Sequence, residues 1–273
     1  MNISISYKTE TGSTMNDAAE LAAEGAPEGT VVWAEVQSVG AGRRGRLWVS
    51  PPGGLYFSLI LRPQWLPRYA PRLTLLAAVA VSDALFRMCS VQTRVKWPND
   101  LFFQGQKIAG LLMQAEIDRG QLNWIILGVG INWAVSKKDL PEGGGTLRAY
   151  LPEGLSQRDA IETVCRQIER RIAQVSESGW GPVWQEWRRK SDLLGCRVSW
   201  QDAGRLCEGA AEDIDEDGGL RIRLDNGNHV IKMSGDIYHI RPASDHAANR
   251  NHCMTMGEEQ HEQRKTRKKN SSG

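Results

Sequence analysis

No stretch of the sequence approaches the ~18 consecutive apolar residues of a membrane span. Residues 1–10 also lack the basic-then-apolar pattern of a secretory leader. Excess charge of one sign is missing too. With 34 Lys and Arg against 32 Asp and Glu, the formal net charge of +2 argues for neither nucleic-acid nor membrane-surface binding by the whole molecule. Cysteine is sparse: Cys89, Cys165, Cys196, Cys207 and Cys253 are odd in number and widely spaced, which fits neither a disulfide framework nor a zinc site. A reducing compartment, the cytoplasm, is therefore expected. All five histidines lie at or beyond His229, and no Ser-His or Cys-His nucleophile arrangement stands out.

What is present is an ordinary globular composition, 41% hydrophobic and 24% charged over 273 residues. That length can bury one large core, or a medium core with a small satellite. Up to residue 190, strand-like and helix-like segments are mixed. Residues 30–37, 55–61, 93–97, 107–116 and 122–130 read as strands joined by short Gly, Asn or Asp turns. A helix is predicted from residue 15 to 23. A second carries Leu73, Leu75, Leu76, Val79, Leu85 and Phe86 toward a sheet. A third has Ile161, Val164, Cys165, Ile168, Ile172 and Val175 in phase, with Ser156 and Asp159 suited to a capping box. Trp180, Trp184 and Trp187 then repeat at helical spacing and read as core.

Beyond residue 194 the helical period disappears. Residues 198–200, 206–214, 220–224, 229–233 and 237–240 are short strands, turned by Asp217-Gly218-Gly219 and Asp225-Asn226-Gly227. They suggest a small SH3-sized barrel that needs its neighbour for stability. Residues 243–273 have almost no aliphatic side chains and are expected to be a solvated, disordered tail.

Five segments carry chemistry. In Gly40-Ala41-Gly42-Arg43-Arg44-Gly45-Arg46-Leu47-Trp48, glycines permit close backbone approach and three arginines offer forked donors to phosphate or carboxylate. Trp48 adds a flat face for a base. A solvated basic hairpin loop explains the same residues equally well. Gly40, Gly42 and Gly45 satisfy G-x-G-x-x-G, but no helix is predicted to follow, which removes the dinucleotide-binding reading. In Val95-Lys96-Trp97-Pro98-Asn99-Asp100-Leu101 a strand ends in a lysine, an amide and a carboxylate. Lys107-Ile108-Ala109-Gly110 begins the next strand, and a hairpin through Gln104-Gly105 would bring Lys96, Asp100 and Lys107 together. That cluster is either a salt bridge or a place for Mg²⁺ on Asp100. Gly128-Val129-Gly130-Ile131-Asn132 marks a strand that something approaches closely, or a bulge. Ser13 and Thr14 stand before the first helix as N-cap or as ligand hydroxyls.

Taken in order, Ser13-Thr14, Gln37 with the Gly/Arg loop, K-W-P-N-D at 96–100, K-I-A-G at 107–110 and G-V-G-I-N at 128–132 resemble the motif series of the biotin protein ligases over about residues 7–242. The resemblance implies an α/β (α+β) fold: a mixed-sheet catalytic domain of the biotin/lipoate ligase type, residues 1–190, and an SH3-like C-terminal β-barrel, residues 191–242. It implies that Ser13, Thr14, Gln37, Gly40, Ala41, Gly42, Arg43, Lys107 and Gly110 bind biotin. Arg43, Arg44, Arg46, Trp48, Asn99 and Asn132 would bind the nucleotide, and Lys107 and Arg43 would be catalytic. ATP with Mg²⁺ is implied as co-substrate. A biotin carboxyl carrier domain of acetyl-CoA carboxylase or a related carboxylase is the implied partner, with either a homodimer or a monomer compatible.

Two positions depart from the family pattern. Ala41 stands where a long polar residue is usual, and Met15 stands where asparagine commonly follows Ser-Thr, with Asn16 adjacent as a substitute. About ten residues precede Ser13, too few for the winged helix of repressor members, so a catalytic-only type is expected. The nearest alternative is a lipoate or octanoate ligase of the same fold. Its Arg/Gly-rich motif followed by His-Asp is not found.

Overall fold

The parallel pair β1 (Ser4–Thr11) and β2 (Thr30–Gln37) opens the chain, joined by helix α1 (Thr14–Ala23). The computed structural model describes residues 1–239; residue 240, expected to end the last strand, and the tail expected at 243–273 lie outside the described residues. After β2 come β3 (Leu55–Leu61), helix α2 (Ala70–Cys89), and the antiparallel run β4 (Arg94–Lys96), β5 (Asp100–Phe103), β6 (Gln106–Asp118) and β7 (Gln121–Ile131). The seven strands form one sheet in the order β1-β2-β3-β7-β6-β5-β4.

Two tight turns set its register. Gln104-Gly105 joins β5 to β6 and Arg119-Gly120 joins β6 to β7, all four residues at positive φ, the backbone that matches strand twist. The hairpin expected through Gln104-Gly105 exists, but its first strand is β5. Lys96 belongs to β4 and pairs with Asp100, one strand further from β6. β1 was not anticipated, because its exposed Ser-Ile-Ser-Tyr-Lys-Thr-Glu-Thr run gives almost no apolar signal.

The two faces of the sheet are covered unequally. On one face α2 and α3 (Gln157–Ser178) cover a core that includes Leu55, Phe57, Leu59 and Leu61 of β3 and Ile125, Leu127 and Val129 of β7, and α4 (Gly181–Lys190) packs beside them toward β4. At roughly 1.5–3 kcal/mol per buried large aliphatic side chain, this is the main source of stability. Phe86 departs from its expected inward place and is 50% exposed. Ser156 caps α3 by accepting a bond from the Asp159 amide, while Asp159 bonds the Ser156 hydroxyl, not its amide; the box is half-formed. Trp184 and Trp187 are buried as expected, and Trp180 stacks on Trp184. On the opposite face, α1 covers only part of the sheet. Met15, Ala18 and Ala22 pack on Val32, Ile60, Trp124 and Ile126. The rest of that face is left for the site.

A second sheet follows: β8 (Arg197–Asp202), β9 (Arg205–Ile214), β10 (Leu220–Arg223), β11 (His229–Lys232) and β12 (Tyr238–His239), antiparallel in the order β11-β10-β9-β8-β12. Its inward residues Val198, Trp200, Ala211, Ile214, Leu220 and Ile222 belong to the same core cluster as the first sheet. Polar ties reinforce the joint: the Trp97 indole N–H donates to the Gly218 carbonyl at 3.0 Å, and Arg72 meets Asp217 at 2.6 Å. Among the described residues no helix is long and apolar enough to cross a membrane.

Candidate active site

The uncovered part of the α1 face is glycine-lined. Gly110 of β6 and Gly130 of β7 are cross-strand partners, and Gly128 lies two residues further along the same face. A Cβ on Gly110 or Gly130 would fall 2.8 or 2.6 Å from the Trp48 indole, so only glycine lets that ring lie flat against the sheet. The close approach expected of these strands is made by Trp48. Above this floor is a cavity of about 250 Å³, walled by the N-terminus of α1, the Gly/Arg loop, the β4–β5 turn and residues 235–238 of the second sheet's chain.

At one end lies a polar cluster. Gln37 Oε1 accepts from the Thr14 amide at 2.9 Å and the Thr14 hydroxyl at 3.1 Å, while Gln37 Nε2 donates to Ser50 Oγ at 2.9 Å. The Thr14 hydroxyl also pairs with Ser58 Oγ at 2.9 Å. Ser13 is buried and its Oγ has no partner, so it accepts no cap bond from its own helix. An unpartnered buried hydroxyl costs free energy and is suited to meet a polar ligand.

Cations gather at the other end. Lys107 Nζ is 2.7 Å from Asp100 Oδ2 and 5.2 Å from the Trp48 ring centroid. The second oxygen, Asp100 Oδ1, is buried without a partner. Arg43 reaches in from the loop and donates to Asn99 Oδ1 at 3.1 Å and to the Gly235 carbonyl at 3.3 Å. Burial pulls the Arg43 guanidinium below its ordinary pKa, and the charges of Asp236 and Asp100 oppose that shift. Asn99 in turn donates to the Leu111 carbonyl at 2.7 Å, which fixes the β4–β5 turn to β6.

Of the residues anticipated from sequence, Thr14, Gln37, Ala41, Gly42, Arg43, Arg46, Trp48, Asn99, Asp100, Lys107 and Gly110 line this one cavity. Gly40 lies behind it, where a Cβ would meet the Trp48 carbonyl at 2.4 Å. Arg44 points outward to Asp236, 62% exposed. Asn132 is off the wall as well: buried, it donates to the carbonyls of Lys107 and Gly145 and so supports the Lys107 backbone from beneath. Asn16 does not replace Met15; it is exposed, one helical step round, while Met15 lies over Gly128.

The sequence reading missed Ser58, Ser50 and the stretch 235–238. Ser58 left a signal, a single polar residue inside the apolar β3 run. Gly235 and Asp236 left none. Both described histidines, His229 and His239, pair with Glu212 of β9 and with Asp192 ahead of β8, and do not line the cavity.

Residues 7–132 match the model of the Biotin/lipoate A/B protein ligase family, and residues 194–240 that of the Biotin protein ligase C terminal domain. The chain is 30% identical over 232 residues to the biotin–[acetyl-CoA-carboxylase] ligase of Paracoccus denitrificans, covering 81% of this chain and 95% of that protein. It is 32% identical over 240 residues to the enzyme of the same name from Mycobacterium tuberculosis, covering 85% and 87%. The bifunctional ligase/repressor BirA of Bacillus subtilis is 33% identical over 236 residues, 85% of this chain and 72% of that one. Among solved structures, the biotin protein ligase from Aquifex aeolicus in complex with biotin and ATP aligns with a TM-score of 0.71 at 28% identity, over 87% of this chain and 99% of its own.

Proposed function

The chain belongs to the biotin protein ligase family, and from that premise we propose that it activates biotin with ATP as biotinyl-5'-AMP and transfers it to a lysine of a biotin carboxyl carrier domain. One observation carries the reading: Lys107, Arg43, Trp48 and the Thr14–Gln37 cluster all open onto the same cavity. A carboxylate acylates amines poorly, so its oxygen first attacks the α-phosphorus of ATP. The bond to the pyrophosphate oxygen breaks and pyrophosphate leaves. The unprotonated ε-amine of the acceptor lysine then attacks the acyl carbon, AMP departs, and an amide remains. No enzyme nucleophile is needed. Among the thiols, burial pushes Cys89 up to about 11 and Cys165 up to about 12, so neither supplies a thiolate.

The geometry supports the following residue roles within this reading. Ser13, Thr14 and Gln37 supply hydroxyls and an amide for the biotin headgroup, with Gly110 and Gly128 keeping the floor low. Lys107 and Arg43 stabilise charge on the carboxylate and α-phosphate. Trp48 offers its ring to the adenine, and Arg46 and Asn99 the polar contacts beside it. The buried, unpartnered Asp100 Oδ1 fits a Mg²⁺ ion carried on the triphosphate. Among the described residues no trio of His, Cys, Asp or Glu gathers, so Asp100 would be one protein ligand among phosphate oxygens. The ion would add positive charge against the phosphates.

Within this proposal the first sheet with its helices, to about residue 190, is the catalytic domain and residues 191–242, of which 240–242 lie outside the described residues, are the SH3-like domain. The acceptor is the carrier domain of acetyl-CoA carboxylase or a related carboxylase, met in the cytoplasm. A homodimer, where one forms, would pair through β1, the uncovered edge strand; β4 is already bridged by Ser191. Incubating the purified chain with ATP, a carrier domain and labelled biotin or lipoate tests the reading. Incorporation of biotin and not lipoate is expected, and the reverse preference overturns it.

A further inference from the structure

The Gly/Arg loop holds three arginines within four positions and, from Ser38 to Ser50, no acidic residue. Asp100 of β5 lends charge to Arg43, and the counter-charge of Arg44 and Arg46 comes from the second sheet. Asp236 lies between β11 and β12, and its Oδ1 is 2.7 Å from Arg46 Nη2 while its Oδ2 is 3.5 Å from Arg44 Nη1. Next to it, the Gly235 carbonyl accepts from Arg43. Ile237, 3% exposed, roots this segment in the core, so the carboxylate is held on a fixed arm. Burial alone would raise the Asp236 carboxyl. The Arg46 hydrogen bond and the charges of Arg46, Arg44 and Arg43 outweigh that and hold it below the usual aspartate range. The loop's own bonds, such as Gly42 N–H to the Arg46 carbonyl at 2.8 Å, shape its turn without attaching it to anything else.

We propose that Asp236 is a positioning residue that latches the Gly/Arg loop over the cavity, so that the second sheet governs how long the activated intermediate is retained. The proposal rests on the ligase reading for the identity of that intermediate, but the latch itself is a property of the unliganded chain. Asp236 acts through Arg44 and Arg46, the side chains its carboxylate meets. Removing its charge leaves the loop held through Arg43 alone, on Asn99 and the Gly235 carbonyl, so that it opens more often and lets the adenylate escape.

The test uses the full chain with Asp236→Asn, Asp236→Glu, Arg46→Gln and the Asp236→Asn/Arg46→Gln double variant. Labelled biotinyl-AMP is formed in place and its release is followed after an unlabelled chase. In parallel, trypsin cleavage after the loop arginines is followed without ligand for wild type and the Asp236 variants. Asp236→Asn should speed both release and cleavage, on the order of five- to tenfold, the low end of site-to-site coupling. Asp236→Glu should move both back toward wild type, and the double variant should release no faster than the faster single one. Wild-type release and wild-type trypsin resistance in Asp236→Asn overturn the latch, as do single effects that multiply in the double variant. If wild type forms no adenylate, the ligase reading fails, and the trypsin arm still decides the latch. Should Asp236→Asn not fold, Arg44→Gln with Arg46→Gln, changed only on exposed side chains, removes the same tie and is read by cleavage after Arg43.

Discussion

At the residue scale, Lys107 and the glycine pair make the sharpest demands. Lys107 carries the ammonium that pairs with Asp100 at the cation end, so Lys107→Ala should lower the rate of biotinyl-AMP formation by about 3–4 kcal/mol of transition-state stabilisation. Quenched-flow measurement of the adenylate checks this, and a near-normal rate rejects the role. Gly130→Ala puts a methyl 2.6 Å from the Trp48 indole. The ring must lift, at a typical overpacking cost of about 1–3 kcal/mol, and the KM for ATP should rise about tenfold or more. Residues such as these were legible in the sequence because their chemistry is local: a lysine, an amide and a carboxylate at strand ends, glycines where strands prefer bulk. Asp236 was not legible. Its partner Arg46 lies 190 positions away, and nothing in a lone Ser-Gly-Asp announces which loop it will meet. Asn132 was legible as special, yet its amide serves the Lys107 and Gly145 carbonyls and does not face the cavity.

At the scale of elements, the site exists because α1 is too short to cover its face of the sheet. Ten residues end the apolar packing at Met15, and the glycine-lined remainder of β6 and β7 becomes the floor. The loop is the movable wall. Arg43 ties it to Asn99 and Gly235, so Arg43→Gly should loosen it and release adenylate before transfer. Labelling in a mixture of bystander proteins should then rise well above wild type; unchanged selectivity would count against the loop's closing task. Strands β2 and β3 could be read from their apolar runs, while β1 and the four-residue β5 could not. β1 is exposed on nearly every residue, and β5 is defined by its hairpin partners more than by its own pattern.

At the scale of the molecule, one core spans both sheets, and the catalytic cavity borrows part of its wall from the second. Equilibrium unfolding should therefore be a single cooperative transition. Trp97→Phe keeps the ring in the joint but leaves the Gly218 carbonyl without its donor, at a typical cost of about 1–3 kcal/mol. The urea midpoint should fall accordingly, with fluorescence and circular dichroism still coincident; two separated transitions would show that the sheets are independent.

The shared hollow between the Gly/Arg loop and the glycine floor is claimed to join a vitamin carboxylate to a nucleotide. Exchange of labelled pyrophosphate into ATP by the purified chain reads that reaction alone, without an acceptor protein. Exchange that depends on added biotin is the predicted result. No exchange with biotin, or exchange that lipoate supports in its place, would contradict it.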